Sequence, residues 1–155
     1  MAEESVSDLL QAAGRSTTEA SPEFLAWLGE KKVPGEIIAL FAGCVADRQE
    51  RRPRVHEICD LYTEEEIQKE AAESPRYLKA GLLAIGSGVL GDPVAIDLRK
   101  QVGSVGYISH DDVWGDDEAK IRKFFVVIAP SLAELVRRSR DGVLPKDYHQ
   151  AKKKK

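Results

Sequence analysis

The stretch Ala84-Ile85-Gly86-Ser87-Gly88-Val89-Leu90-Gly91-Asp92-Pro93 holds a literal G-x-G-x-x-G directly after the apolar run Leu82 to Ile85. Two readings compete for it: a loop that cradles a dinucleotide, or a turn between strands that uses three glycines. A dinucleotide loop needs a helix opening at the last glycine, because the pyrophosphate rests on that helix's first amides. Here Asp92-Pro93 follows at once, and Val94-Ala95-Ile96-Asp97-Leu98 then alternates like a strand, with Val94, Ile96 and Leu98 on one face. No Lys-Ser or Lys-Thr follows the glycines, so a P-loop fails as well. The stretch reads as a hairpin in which Gly86, Gly88 and Gly91 supply left-handed or closely approached backbone.

Downstream, Val105 to Ile108 is a third β-compatible run and Phe124 to Ile128 a fourth. The first three are joined by glycine-containing turns too short for helices, which predicts an antiparallel meander. Upstream, Ser21-Pro22-Glu23 combines an N-cap, a proline at the first helical position and an acid in the first turn. The helix it opens carries Phe24, Leu25, Trp27 and Leu28 on its apolar face, which places Trp27 in the core. Pro34-Gly35-Glu36 opens a second helix through Phe41 to Gly43, giving a helical hairpin or a bent helix. Thr63 with Glu66 forms a capping box for a helix from Glu64 to about Glu73, closed by Ser74-Pro75. Ser131 with Glu134 forms a second box, for a helix from Leu132 to Arg140 that turns Leu132, Leu135 and Val136 inward and stops at Gly142.

The remaining segments are less regular. Residues 1–20 form a lead-in with a short helix expected around Val6 to Ala13. The basic run at 47–54, DRQERRPR, reads as an exposed loop before a short edge strand, Val55 to Ile58. Residues 149–155 read as a basic disordered tail, which leaves 21–148 as a single domain. Helices, then a strand meander, then a closing helix predict an α+β fold rather than a doubly wound sheet.

Composition narrows the function. The 155 residues are 43% hydrophobic and 32% charged, as in ordinary globular domains, and no apolar run is long enough to cross a bilayer, so no membrane role is expected. The acidic opening MAEESVSDLL lacks the layout of a secretory signal, which points to the cytoplasm. Cys44 and Cys59 have neither disulfide density nor C-x-x-C spacing and read as buried thiols. The net charge of -3 includes four terminal lysines, without which it is -7. Such a body disfavours nucleic acid and favours a basic protein partner. No cofactor motif survives the test of its context.

Chemistry-bearing residues concentrate between Ile108 and Glu118, in the order ISHDDVWGDDE. His110, Asp111, Asp112 and Asp116 supply the ligand types of a metal-dependent hydrolase, but the spacing is not that of an EF-hand and no second histidine stands at ligand spacing. The same run also reads as a solvated loop, with His110 or Asp111 capping the strand end. A third reading is an acidic recognition face in which Asp111, Asp112, Asp116 and Asp117 surround Trp114 as an aromatic anchor and Asp92 and Asp97 extend the negative surface. No G-x-S-x-G elbow marks a nucleophile, and His56, His110 and His149 are scattered along the chain.

Read as one unit, Tyr77 to Leu98, YLKAGLLAIGSGVLGDPVAIDL, resembles the Smi/Knr family of the SUKH superfamily. Gly86, Gly91, Asp92 and Asp97 stand where that family carries its Ile-Gly strand end, its Gly-Asp hairpin and its Asp-apolar strand end. His110-Asp111 and the segment Ile128 to Leu135 are similar to the family's His-Asp pair and closing helix start, so the resemblance spans about Tyr77 to Asp141. It implies an α+β domain with a central, mainly antiparallel sheet flanked by helices. It also implies a non-catalytic role, either as an immunity protein that occludes a cognate bacterial toxin or as a regulatory scaffold.

Overall fold

The structure, a computed structural model, describes residues 17–43, 45–46, 58–88, 90–110, 112, 115, 117–145 and 148–153. The elements in chain order are β1 (Thr17–Thr18), α1 (Pro22–Glu30), α2 (Gly35–Gly43), β2 (Val45–Ala46), β3 (Ile58–Leu61), α3 (Glu64–Glu73), α4 (Arg76–Lys79), β4 (Leu82–Gly88), β5 (Pro93–Asp97), β6 (Val105–Ile108), α5 (Glu118–Lys123), β7 (Phe125–Ala129), α6 (Leu132–Arg140) and α7 (Tyr148–Lys153). The fold is an α+β single domain.

The glycine-rich stretch is a hairpin. β4 and β5 pair antiparallel from Leu82 opposite Asp97 to Ser87 opposite Pro93, and the register slips between Ala84 and Gly86. Within that bulge the Tyr62 N–H donates to the Ile85 carbonyl at 2.7 Å. Gly86 and Gly88 lie inside β4, where they also face Leu61 and Ile58 of β3. Of the three glycines only Gly91 takes the left-handed backbone, at φ +96°. The left-handed part of that expectation therefore narrows to one glycine. β5 stands where a cofactor loop would need a helix, so the nucleotide reading is excluded.

All five strands of the main sheet run antiparallel in the order β3-β4-β5-β6-β7, the meander expected from the turns. β1 and β2 make a separate two-stranded sheet that the sequence does not announce. Alternation sends side chains to both faces of the main sheet. Leu83, Ile85, Val94, Ile96, Val105 and Tyr107 join the larger core with Phe24, Leu28, Phe41 and Ile67 from the N-terminal helices and α3, and with Leu135 of α6. Leu82, Ala84, Ala95 and Ile108 face the other way, into a smaller core closed by Tyr77 and Ala80 near α4 and by Ile121 of α5. Each fully buried Leu or Ile contributes about 1.5 to 3 kcal/mol, so two covered faces, not one, hold the sheet.

The helix starts follow their caps. Ser21 Oγ accepts from the Phe24 N–H at 3.1 Å. At α3 both halves of the box form: Thr63 Oγ1 accepts from the Glu66 N–H at 3.3 Å, and the Glu66 carboxylate accepts from the Thr63 N–H at 3.0 Å. At α6 the Ser131 half forms at 3.1 Å, but the Glu134 carboxylate takes hydrogen bonds from Arg137 and Arg138 instead. Trp27 is only half-buried: it stacks on Phe24 at 6.0 Å with Lys31 over its ring, so it borders the core rather than filling it.

One expectation is overturned at the C-terminus. Residues 149–153 of the expected tail are helical: they continue α7 from Tyr148, with Tyr148 2% and Ala151 6% exposed. The Tyr148 ring meets Phe124 edge-on at 6.0 Å, and the Tyr107 hydroxyl donates to the Pro145 carbonyl at 2.8 Å just ahead of the helix. The expected helix around 6–13, the basic loop 47–54, residues 55–57 of the expected edge strand, Cys44, His56 and residues 154–155 lie outside the described residues. Among the described residues no helix is long and apolar enough to cross a membrane.

Candidate functional site

β6 delivers the chain into the acidic segment through two residues with fixed partners. Ser109 is buried; its N–H donates to the Phe124 carbonyl at 3.0 Å and its hydroxyl donates to Asp112 Oδ2 at 2.6 Å. The His110 N–H donates to Asp92 Oδ1 at 3.1 Å, and the His110 ring places Nδ1 against the same oxygen. The other oxygen of Asp92 accepts from the Tyr148 N–H at 2.7 Å. One carboxylate, 3% exposed, thus ties the β4–β5 turn, the end of β6 and the start of α7. A buried carboxylate is tolerable because it is surrounded by donors.

Around this root the histidines partly converge. His149, one residue into α7, holds Nε2 3.6 Å from Asp112 Oδ2, with both side chains partly exposed. Asp92 with His110 and Asp112 with His149 therefore form two adjacent histidine–aspartate pairs. Among the described residues no three His, Cys, Asp or Glu side chains gather as a metal site.

The far end of the segment is also fixed. Asp117 caps α5, its Oδ1 accepting from the Ala119 N–H at 3.0 Å and the Lys120 N–H at 3.4 Å, and it remains exposed. Glu118 follows, exposed and 3.5 Å from Arg99. Asp111, Trp114 and Asp116 lie outside the described residues, between these two anchors.

Asp92 and Asp97 do not extend the acidic surface, which corrects the sequence reading. They are 3% and 2% exposed and both turn inward. Asp97 closes β5 and accepts the N–H groups of Arg99, Lys100 and Gln101 at 3.0, 3.2 and 3.1 Å, a tight turn built on its own side chain. Arg122 of α5 adds a guanidinium contact at 2.8 Å. Burial alone would raise the Asp97 carboxyl, but Arg122 and the three backbone donors outweigh it and hold the group well below the usual carboxylate range. Sequence reasoning missed Arg122 and the Tyr148 amide, because both reach their aspartates across long sequence separations. No family model, curated protein or solved structure matches the chain.

Proposed function

We propose that the chain is a non-catalytic protein-binding domain of the Smi/Knr type, a cytoplasmic immunity protein that occludes the active site of a basic toxin domain with its acidic β6–α5 segment. The observation that carries the reading is the anchoring of that segment. Buried Ser109 and the Asp92–His110 bridge fix one end, and the Asp117 cap fixes the other. Loops held by a rigid scaffold are where binding residues concentrate. Asp112, Asp117 and Glu118 are at least partly exposed there, and the sequence adds Asp111, Asp116 and Trp114 between them. Carboxylates of this density steer a cationic partner into contact, and a tryptophan in their midst serves as the apolar anchor. Asp92 and Asp97 support the segment from inside rather than touching the partner. A regulatory scaffold would use the same surface for another basic protein. The hydrolase alternative rests on His110, Asp111, Asp112 and Asp116; of these, His110 is held by Asp92 and Asp112 by the Ser109 hydroxyl, so the two described members already serve the fold.

The test is association with the basic C-terminal domain of a multidomain toxin encoded beside this chain. Changing Asp111, Asp112, Asp116 and Asp117 together to Asn removes the charge and keeps the α5 cap, since Asn caps as well as Asp. The association rate at low salt is expected to fall by about tenfold or more. Unchanged association would sink the acidic-face mechanism.

A further inference from the structure

The β5–β6 turn and α5 border an open groove of about 640 Å³, lined by Ala80, Arg99, Lys100, Glu118, Arg122 and Lys123 among others. Four of these side chains are cationic, in a chain whose net charge is negative. Among the described residues the only lining carboxylate, Glu118, is engaged with Arg99 at 3.5 Å.

The groove is built rather than a chance meeting of surface lysines. Arg122, largely buried, donates from Nε to the Ala80 carbonyl at 2.8 Å, and from Nη2 to the Gly81 carbonyl at 3.3 Å and to Asp97 at 2.8 Å. Arg99 and Arg122 both cross Gly81: a Cβ there would stand 2.6 Å from Arg99 Cδ and 2.8 Å from Arg122 Nη2, and the backbone sits at φ +80°. Glycine at 81 is what lets the two arginines share this floor.

We propose that this groove binds a compact phosphoryl polyanion: several phosphate groups on a short, non-aromatic frame. The Arg99 guanidinium matches phosphoryl oxygens, Arg122 adds a fixed positive charge at the floor, and Lys100 and Lys123 add point charges on the rim. The volume exceeds what one phosphate fills and falls in the range of small-molecule sites. Among the described residues no aromatic side chain lines the groove to stack on a nucleobase, which argues against nucleotides and single-stranded nucleic acid. The inference is independent of the immunity reading.

Calorimetric titration of the full chain with inorganic tripolyphosphate in about 0.15 M salt tests it, a salt level at which long-range attraction is screened. The expected result is saturable binding that K100Q/K123Q weakens by about tenfold, roughly 1.4 kcal/mol. Glu118→Gln, by releasing Arg99, is expected to tighten it, an outcome that misfolding cannot mimic. The variant K154Q/K155Q is expected to bind like the native chain. Absence of binding would overturn the proposal. So would loss of binding in the tail variant with K100Q/K123Q unaffected, or a poly-glutamate peptide binding the groove more tightly than tripolyphosphate, which would make it a site for acidic protein segments.

Discussion

Asp97 shows how one side chain can look like surface in sequence and serve as a strut in structure. Its four donors come from the turn it closes and from a helix 25 positions away. Removing the carboxylate leaves Arg122 against two carbonyls and three turn amides without their acceptor. Breaking one partner of a buried ion pair costs about 3 to 5 kcal/mol, and the partial exposure of Arg122 puts this case at the lower end. Asp97→Ala is therefore expected to cost about 3 kcal/mol in urea unfolding, and Arg122→Met less, because three backbone donors still satisfy the aspartate. The double variant should cost less than the two together by about 1 kcal/mol or more, as for any directly coupled pair. Additive costs would mean that the two residues act separately.

Among the elements, α7 depends most on a distant residue. It has six residues, and its start is held by the Asp92 carboxylate on the Tyr148 N–H, 56 positions away. A helix this short has no stability of its own in water, so its docking contacts decide whether it forms. Asp92→Ala is expected to cost about 1 to 2 kcal/mol, as loss of a helix cap does. Hydrogen exchange is expected to speed up in peptides covering α7 and the His110 turn while β4 and β5 stay protected. Protection of α7 equal to the native chain would show that Tyr148 and Ala151 packing alone holds it. The same dependence explains what the sequence made legible. β6, α3 and α6 were readable because their caps, glycine stops and apolar alternation are local. α5 was not, with a single buried side chain, Ile121, and neither was α7, whose two buried residues sit in a lysine-rich run. At the candidate site, charge density picked out the acidic segment. It misplaced Asp92 and Asp97 because their burial is decided by Tyr148 and Arg122, which no local pattern connects to them.

Over the whole molecule, two displaced carboxylates of opposite sign shape the dependence of stability on pH. Glu70 on α3 is half-buried; burial first, then repulsion from Glu73, raise its carboxyl above the usual range, and Arg76 offsets this only in part. The folded state then holds that proton more tightly than the unfolded chain, so stability is lost as pH rises through the group's titration and regained on mild acidification. Asp97 works the other way. Its folded carboxyl lies below the unfolded value of about 3.9, so its contribution is fully present above about pH 5 and is lost as pH falls toward the folded-state titration. The urea midpoint is therefore expected to rise slightly from pH 7 to about 5 and to fall steeply below about 4. Glu70→Gln should flatten the first limb and Asp97→Asn the second, each measured against the native chain so that the other carboxylates cancel. Since Asp97 fixes Arg122 and Arg122 fixes α5 against the smaller core, loss at low pH should begin on that face of the sheet. An acid limb as steep in Asp97→Asn as in the native chain would assign acid unfolding to other groups and leave this strut a minor one.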